Sequence, residues 1–203
     1  MKMPNDYIKH LGFTSLEDLI ENLYLSSLIR AFGRLNVSEL VDLNENDIRN
    51  KLQYELSFNC GKISDWINDR SIQFVAEGQI IIKNYEIKRT DITFFIPKFL
   101  YVIECKKVIG ARQGQYIDEG INRFVSRIYI NETDKYAGMC SFIVSSSPKS
   151  IIHKLAQKVS KFYGKEIVNK PVVKLETSFR SIHIKNNKEV YIYHLFFDCR
   201  GNL

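Results

Sequence analysis

Five consecutive apolar residues, Phe99-Leu100-Tyr101-Val102-Ile103, run directly into Glu104-Cys105-Lys106-Lys107. Successive side chains of a strand point to opposite faces. An unbroken apolar run therefore needs cover on both faces, which is the pattern of a central strand in a layered fold. The same alternation sends Glu104 and Lys106 to one face and Cys105 to the other.

The flanking pattern supplies the layers. Thr14-Ser15-Leu16-Glu17 has the form of a capping box and opens a helix to about Phe32, with Leu16, Leu19, Ile20, Leu23 and Leu28 as its apolar side. A second helix is expected from Asn44 to about Phe58, with Ile48, Leu52 and Leu56 as its stripe, while Asn59 to Arg70 fits no single pattern. Strands are expected at Phe74–Ala76, Gln79–Lys83, Glu86–Ile96 and Phe99–Val108, the last two broken by Pro97-Lys98. A helix follows from about Arg112 to Ile130, then a strand at Gly138–Val144 and a helix from about Lys149 to Tyr163. Strands return at Val172–Thr177, Phe179–Lys185 and Glu189–Phe197, with Asn186-Asn187 as a two-residue hairpin turn. This order predicts an α/β fold: a mixed central β-sheet flanked by helices, with N-terminal helices and a C-terminal β-hairpin. No composition shift marks a second domain, so residues 1–203 are read as one.

The chain has 203 residues, 45% of them hydrophobic and 26% charged, enough to bury a real core. Its 29 Lys and Arg against 23 Asp and Glu give +6 and a pI near 9.0. That excess suits a polyanionic partner and equally suits an ordinary basic protein. Cys60, Cys105, Cys140 and Cys199 form no C-x-x-C pair, so buried free thiols in a reducing compartment are expected rather than a disulfide framework or a zinc knuckle. No signal-like apolar segment opens the chain and no long apolar run crosses it, so a cytoplasmic protein without a membrane span is expected.

Chemistry concentrates on Asp91, Glu104 and Lys106. Twelve residues separate the two acids, with a turn at Pro97-Lys98 between them, so a hairpin brings both carboxylates together. As chance residues of a half-exposed strand they would need no account. The apolar run before Glu104 argues against exposure, and burying unpaired charge is costly. Two convergent carboxylates repel unless a cation lies between them. A hard divalent ion such as Mg2+, with Mn2+ as a substitute, takes such oxygens. A lysine beside it orients or deprotonates a water, or neutralises a phosphate. The set suits phosphodiester hydrolysis.

Asp91 with Glu104-Cys105-Lys106, in a helix-strand-strand-strand-helix-strand order, resembles the PD-(D/E)XK nuclease superfamily, the restriction-endonuclease-like enzymes. The resemblance covers about residues 44–144, with the segment 14–32 before it and the helix and strands of 149–199 after it. Thr90 stands where the family's proline usually precedes the aspartate. The resemblance implies a restriction-endonuclease-like core and Mg2+ held by Asp91, Glu104 and the Cys105 carbonyl. It also implies a further carboxylate on the preceding helix: Glu45, with Glu55 as the alternative and Glu77 a more distant one. It implies a nuclease acting on DNA, with RNA as the alternative substrate, in a bacterial defence or repair setting.

The helix after the E-x-K strand carries Arg112, Tyr116, Arg123 and Arg127 on one face, with Gln115 nearby and Gly120 leaving room for an approaching backbone or ligand. In the family, residues of this helix commonly contact substrate or order the site; a solvated polar face is the plain alternative. Lys154, Lys158, Lys161 and Lys165 share a face of the next helix and would meet phosphates, unless they are only a solvated surface. His10, His153, His183 and His194 show no metal or triad spacing, and no nucleotide-binding loop is present, so any ATP-driven step would belong to a partner protein. A nucleic-acid-binding or protein-interaction module that keeps the fold without cleavage is the rival reading. The oligomeric state stays open.

Overall fold

The apolar run lies inside a seven-stranded mixed sheet. The computed structural model describes residues 4–81, 87–110, 113–131, 133–145, 147–161, 164–168 and 172–200. Along the chain the strands are β1 (Gln73–Ile81), β2 (Ile87–Ile96), β3 (Phe99–Val108), β4 (Tyr136–Ile143), β5 (Gly164–Val168), β6 (Ser178–Lys185) and β7 (Lys188–Asp198). They stand in the order β1-β2-β3-β4-β7-β6-β5, with β3 antiparallel to β2 and parallel to β4. The helices are α1 (Pro4–His10), α2 (16–32), α3 (Glu45–Phe58), α4 (Lys62–Asn68), α5 (113–125) and α6 (Pro148–Lys161).

Both faces of β3 are covered, as its apolar run requires. Tyr101, Ile103 and Cys105 join a core with Leu19, Tyr24 and Leu28 of α2 and Ile48, Leu52 and Leu56 of α3. Leu100 and Val102 join a second core with Ile117, Ile121 and Phe124 of α5 and Ile151, Leu155 and Val159 of α6. Burying such side chains stabilises each layer by roughly 1.5–3 kcal/mol per residue. Gly138 of β4 pairs with Ile103. A Cβ there would come within 2.8 Å of Ile103 Cγ1, so only glycine lets the strands and the layer above them close.

Several boundaries differ from the sequence expectation. Ser15, not Thr14, caps α2 through the Asp18 N–H, and Asp18 reaches back to the Thr14 N–H at 2.8 Å, so the box is shifted by one residue. Residues Lys62–Asn68 are helical, and one strand, β1, runs through Phe74–Ala76 and on to Ile81, while the end of the expected Gln79–Lys83 strand and the start of the next at Glu86 lie outside the described residues. α5 ends at Val125 rather than Ile130, and Arg127 has φ +59. Val172–Thr177 is turn rather than strand, and the strand before β6 is Gly164–Val168. The Asn186-Asn187 turn holds, with both residues at positive φ and Lys185 paired to Lys188. Among the described residues no helix is long and apolar enough to cross a membrane.

Candidate active site

The β2–β3 hairpin builds the site. Pro97 and Lys98 make the turn, Lys98 in the left-handed region at φ +65, and paired residues run from Ile96 and Phe99 to Ile92 and Ile103. One more step of that register would set Asp91 against Glu104, but the pairing stops short. Instead the Cys105 N–H donates to Asp91 Oδ2 at 2.7 Å, and the Lys107 N–H donates to Glu45 Oε2 at 2.6 Å. Alternate amides of a strand point to the same side, so two successive openings in the edge of β3 are filled by carboxylates. One comes from β2 and the other from the first turn of α3, whose N-cap is Asn44.

Glu104 projects with Leu100 and Val102 toward α5, and its side chain is only 3% exposed. Its Oε1 accepts from Lys106 Nζ at 2.9 Å and from Arg123 Nη1 at 2.7 Å. Burial, and then the charge of Asp91, push the Glu104 carboxyl up to about 7 against the pull of Lys106 and Arg123. Burial alone would lower the Lys106 ammonium, yet Glu104, Glu45 and Asp91 outweigh it and hold the group above its usual value. Glu45 Oε1 lies 3.7 Å from Lys106 Nζ.

Two residues at this site were not singled out in the sequence. Arg49 and Gln53 follow Glu45 at steps of four, so one edge of α3 presents all three to the hairpin. Arg49 Nη1 donates to Asp91 Oδ1 at 2.5 Å, and its Nη2 pairs with Glu77. Gln53 Nε2 donates to the Asp91 carbonyl at 2.8 Å. Their signal was the spacing from Glu45 beside the buried stripe of Ile48, Leu52 and Leu56. Glu77 lies on β1 between the pairs Ala76–Ile92 and Gly78–Thr90, so register sets it beside Asp91. It has φ +52, a costly value for a glutamate. Glu55, by contrast, pairs with Arg34 and Asn59 and takes no part in the site.

Asp91, on the Cys105 amide, and Glu104, the residue before it, supply two hard carboxylates, the number that Mg2+ commonly takes while water and phosphate oxygens complete its shell. In donor chemistry the pair fits such an ion. Among the described residues no three His, Cys, Asp or Glu side chains gather as around one metal. No family model, no curated protein and no solved structure matches this chain. The reading of the site therefore stands on its geometry.

The other expected residues scatter. Cys105 turns its side chain into the first core, and its amide, rather than its carbonyl, makes the contact at Asp91. Arg123 is half-buried and donates to Glu104 and Tyr129, its guanidinium 5.3 Å from the Tyr129 ring. Tyr116 is a correction: it is buried in the second core, and its hydroxyl meets His194 Nδ1 at 2.5 Å, out of reach of a polymer. Gly120 is another, because the space it leaves is filled by Met139, whose Cε would lie 2.5 Å from an added Cβ. Arg127 binds the carbonyls of Asn131, Asp134 and Glu189 and so closes a loop. Gln115, Lys154, Lys158 and Lys161 are exposed. Arg112 and the side chain of Lys165 lie outside the described residues.

A buried relay that spacing did not reveal runs from Tyr116 to His194, on to Ser181 at 2.7 Å and to His183 at 2.8 Å. Its residues are brought together by β6, β7 and α5. It has no opening to solvent at His183, His194 or Ser181, which makes it a core network rather than a second reactive centre. The four cysteines are free and buried.

Proposed function

We propose that this chain is a metal-dependent nuclease of the PD-(D/E)XK kind that hydrolyses phosphodiester bonds in DNA. The observation that carries the reading is the Asp91 carboxylate on the Cys105 amide, next along the chain to Glu104, with Lys106 Nζ 2.9 Å from Glu104 Oε1. Support comes also from the order of elements from α3 to β4, two helices, three strands, a helix and a strand, with the E-x-K strand between an antiparallel and a parallel neighbour. That is the arrangement expected of a restriction-endonuclease-like core.

Asp91 and Glu104 would hold Mg2+, or Mn2+ in its place. When bound, the ion supplies a more acidic water and positive charge beside a scissile phosphate. Lys106 keeps its proton, because three carboxylates raise its affinity for it. As an ammonium it would donate to the attacking water or to a phosphate oxygen, and once a cation takes Asp91 and Glu104 the charges that hold its proton weaken. Arg123 fixes the orientation of Glu104 through Oε1, and Glu45 braces both Lys106 and the backbone of Lys107. Lys154, Lys158 and Lys161 would add phosphate contacts without sequence preference.

A binding module without cleavage is the second reading. It is favoured by one observation: Arg49, Arg123 and Lys106 already neutralise both acids. Incubation with linear, circular and single-stranded DNA and with RNA, each with Mg2+, Mn2+ or EDTA, separates the two. Metal-dependent fragments that vanish in Lys106→Ala and Asp91→Ala, with both variants folded, support the nuclease. Intact polymer under every condition, or full cleavage by both variants, refutes it. Cytoplasmic residence and a partner protein that supplies ATP hydrolysis belong to the same proposal. Four buried thiols suit the reducing compartment.

A further inference from the structure

Arg49 is a buried cation with two carboxylate partners of unequal exposure. Its side chain is 5% exposed, that of Asp91 16% and that of Glu77 52%. Its Nε is buried with no hydrogen-bond partner. A buried unpaired donor costs about 1–3 kcal/mol, which the two carboxylate contacts must offset. Glu77 keeps its place at φ +52 directly beside Asp91, where two like charges across a strand pair repel. A purely structural counter-ion for Asp91 would need neither the strained glutamate nor the shared guanidinium.

We propose that Arg49 is an exchangeable counter-ion: it competes with a divalent cation for Asp91 Oδ1, and Glu77 keeps the guanidinium when the cation takes Asp91. Arg49 is thus a positioning residue that sets cation affinity, and Glu77 acts through it. A guanidinium suits the exchange because its fork can leave one carboxylate while still held by the other. Gln53 anchors the Asp91 carbonyl at 2.8 Å, so the strand stays in place while the carboxylate changes partner. The inference rests on the cation-binding reading given above.

The test is calorimetric titration of Mn2+ into the full chain, without nucleic acid, for wild type, Arg49→Met, Glu77→Gln and the double variant. Arg49→Met should bind about tenfold more tightly, the size of shift that one adjacent charge imposes on a carboxylate. Glu77→Gln should bind about fivefold more weakly, because the guanidinium then has only Asp91. In the Arg49→Met background the Glu77→Gln change should shrink below about twofold, since Glu77 then has nothing to hold. Equal or weaker binding by Arg49→Met overturns the exchange, as does a Glu77→Gln effect that survives undiminished in the double variant. If Arg49→Met does not fold, Glu77→Gln is titrated at about 0.5 M salt, where direct attraction from a half-exposed group is screened. Weakening that persists there supports the exchange, and its disappearance overturns it. Absence of Mn2+ binding in every variant removes the cation-binding reading as well, whereas binding by wild type without tightening in Arg49→Met removes the exchange alone.

Discussion

Glu104 should imprint its burial on the stability of the protein. Its folded carboxyl titrates near 7, raised from 4.5 first by burial and then by Asp91. A raised carboxyl gives stability that is fully present below the unfolded value and is lost as pH climbs through the folded one. At about 1.4 kcal/mol per unit, the rise corresponds to about 3 kcal/mol between pH 4.5 and 7. Glu104→Gln keeps the shape of the side chain and removes the titration. Urea denaturation of wild type and Glu104→Gln, both in EDTA, gives their stability difference at each pH. Loss of the ion pairs to Lys106 and Arg123 shifts that difference by a constant amount well above pH 7, where Glu104 is fully ionised in both states. On falling from pH 8 to 5, the difference should move in favour of wild type by about 2.5 kcal/mol. A difference that stays flat to within about 0.5 kcal/mol means that Glu104 titrates as it does in the unfolded chain. That result would refute the buried, charge-coupled site on which the nuclease reading rests.

Three further outcomes are expected. His194 is held neutral by burial and by His183, well below its usual value. Its contribution is therefore present at neutral pH and lost as pH falls below 6.5, at up to about 1.4 kcal/mol per pH unit. His194→Gln should remove that slope, and parallel curves for the two proteins between pH 6.5 and 5 would contradict it. Gly138→Ala should destabilise by about 1–3 kcal/mol in thermal or urea unfolding, and Ile103→Val should recover part of the loss in the double variant. Additive effects would show that the contact is not the cause. Alanine at Lys154, Lys158 and Lys161 together should weaken DNA binding and reduce its salt slope by about one unit per lost phosphate contact. An unchanged slope in a binding assay across salt would leave those lysines as solvated surface.

What could be read from the sequence was what local periodicity carries. The apolar run fixed β3 as a covered central strand, and alternation put Glu104 and Lys106 on one face and Cys105 on the other. The Pro97-Lys98 turn then sufficed to bring Asp91 close. Arg49 and Gln53 escaped because a polar residue beside an apolar stripe normally faces water, and only the tertiary contact with β2 gives them partners 42 and 38 residues away. Tyr116 was misjudged for the converse reason. A tyrosine at helical spacing from arginines looks exposed, yet its hydroxyl is satisfied by His194, 78 residues along the chain. Gly120 shows the same limit, since the bulk that needed the space belongs to Met139 on β4. The strand at Gly164–Val168 was missed because alternation at Val172–Thr177 is equally strand-like, and pairing with β6 decides between them.

The amides of Cys105 and Lys107 give the site its own spectroscopic gauge. In most of a sheet an N–H donates to a carbonyl whose charge never changes. Here the two donors face the ionisable oxygens of Asp91 and Glu45. The proton and nitrogen resonances of these two residues therefore track what each carboxylate is bound to, while Ile92–Ile103 and the pairs beyond it keep the frame still. Events at the site become visible through the backbone, one reporter for the strand acid and one for the helix acid, without a label and without turnover.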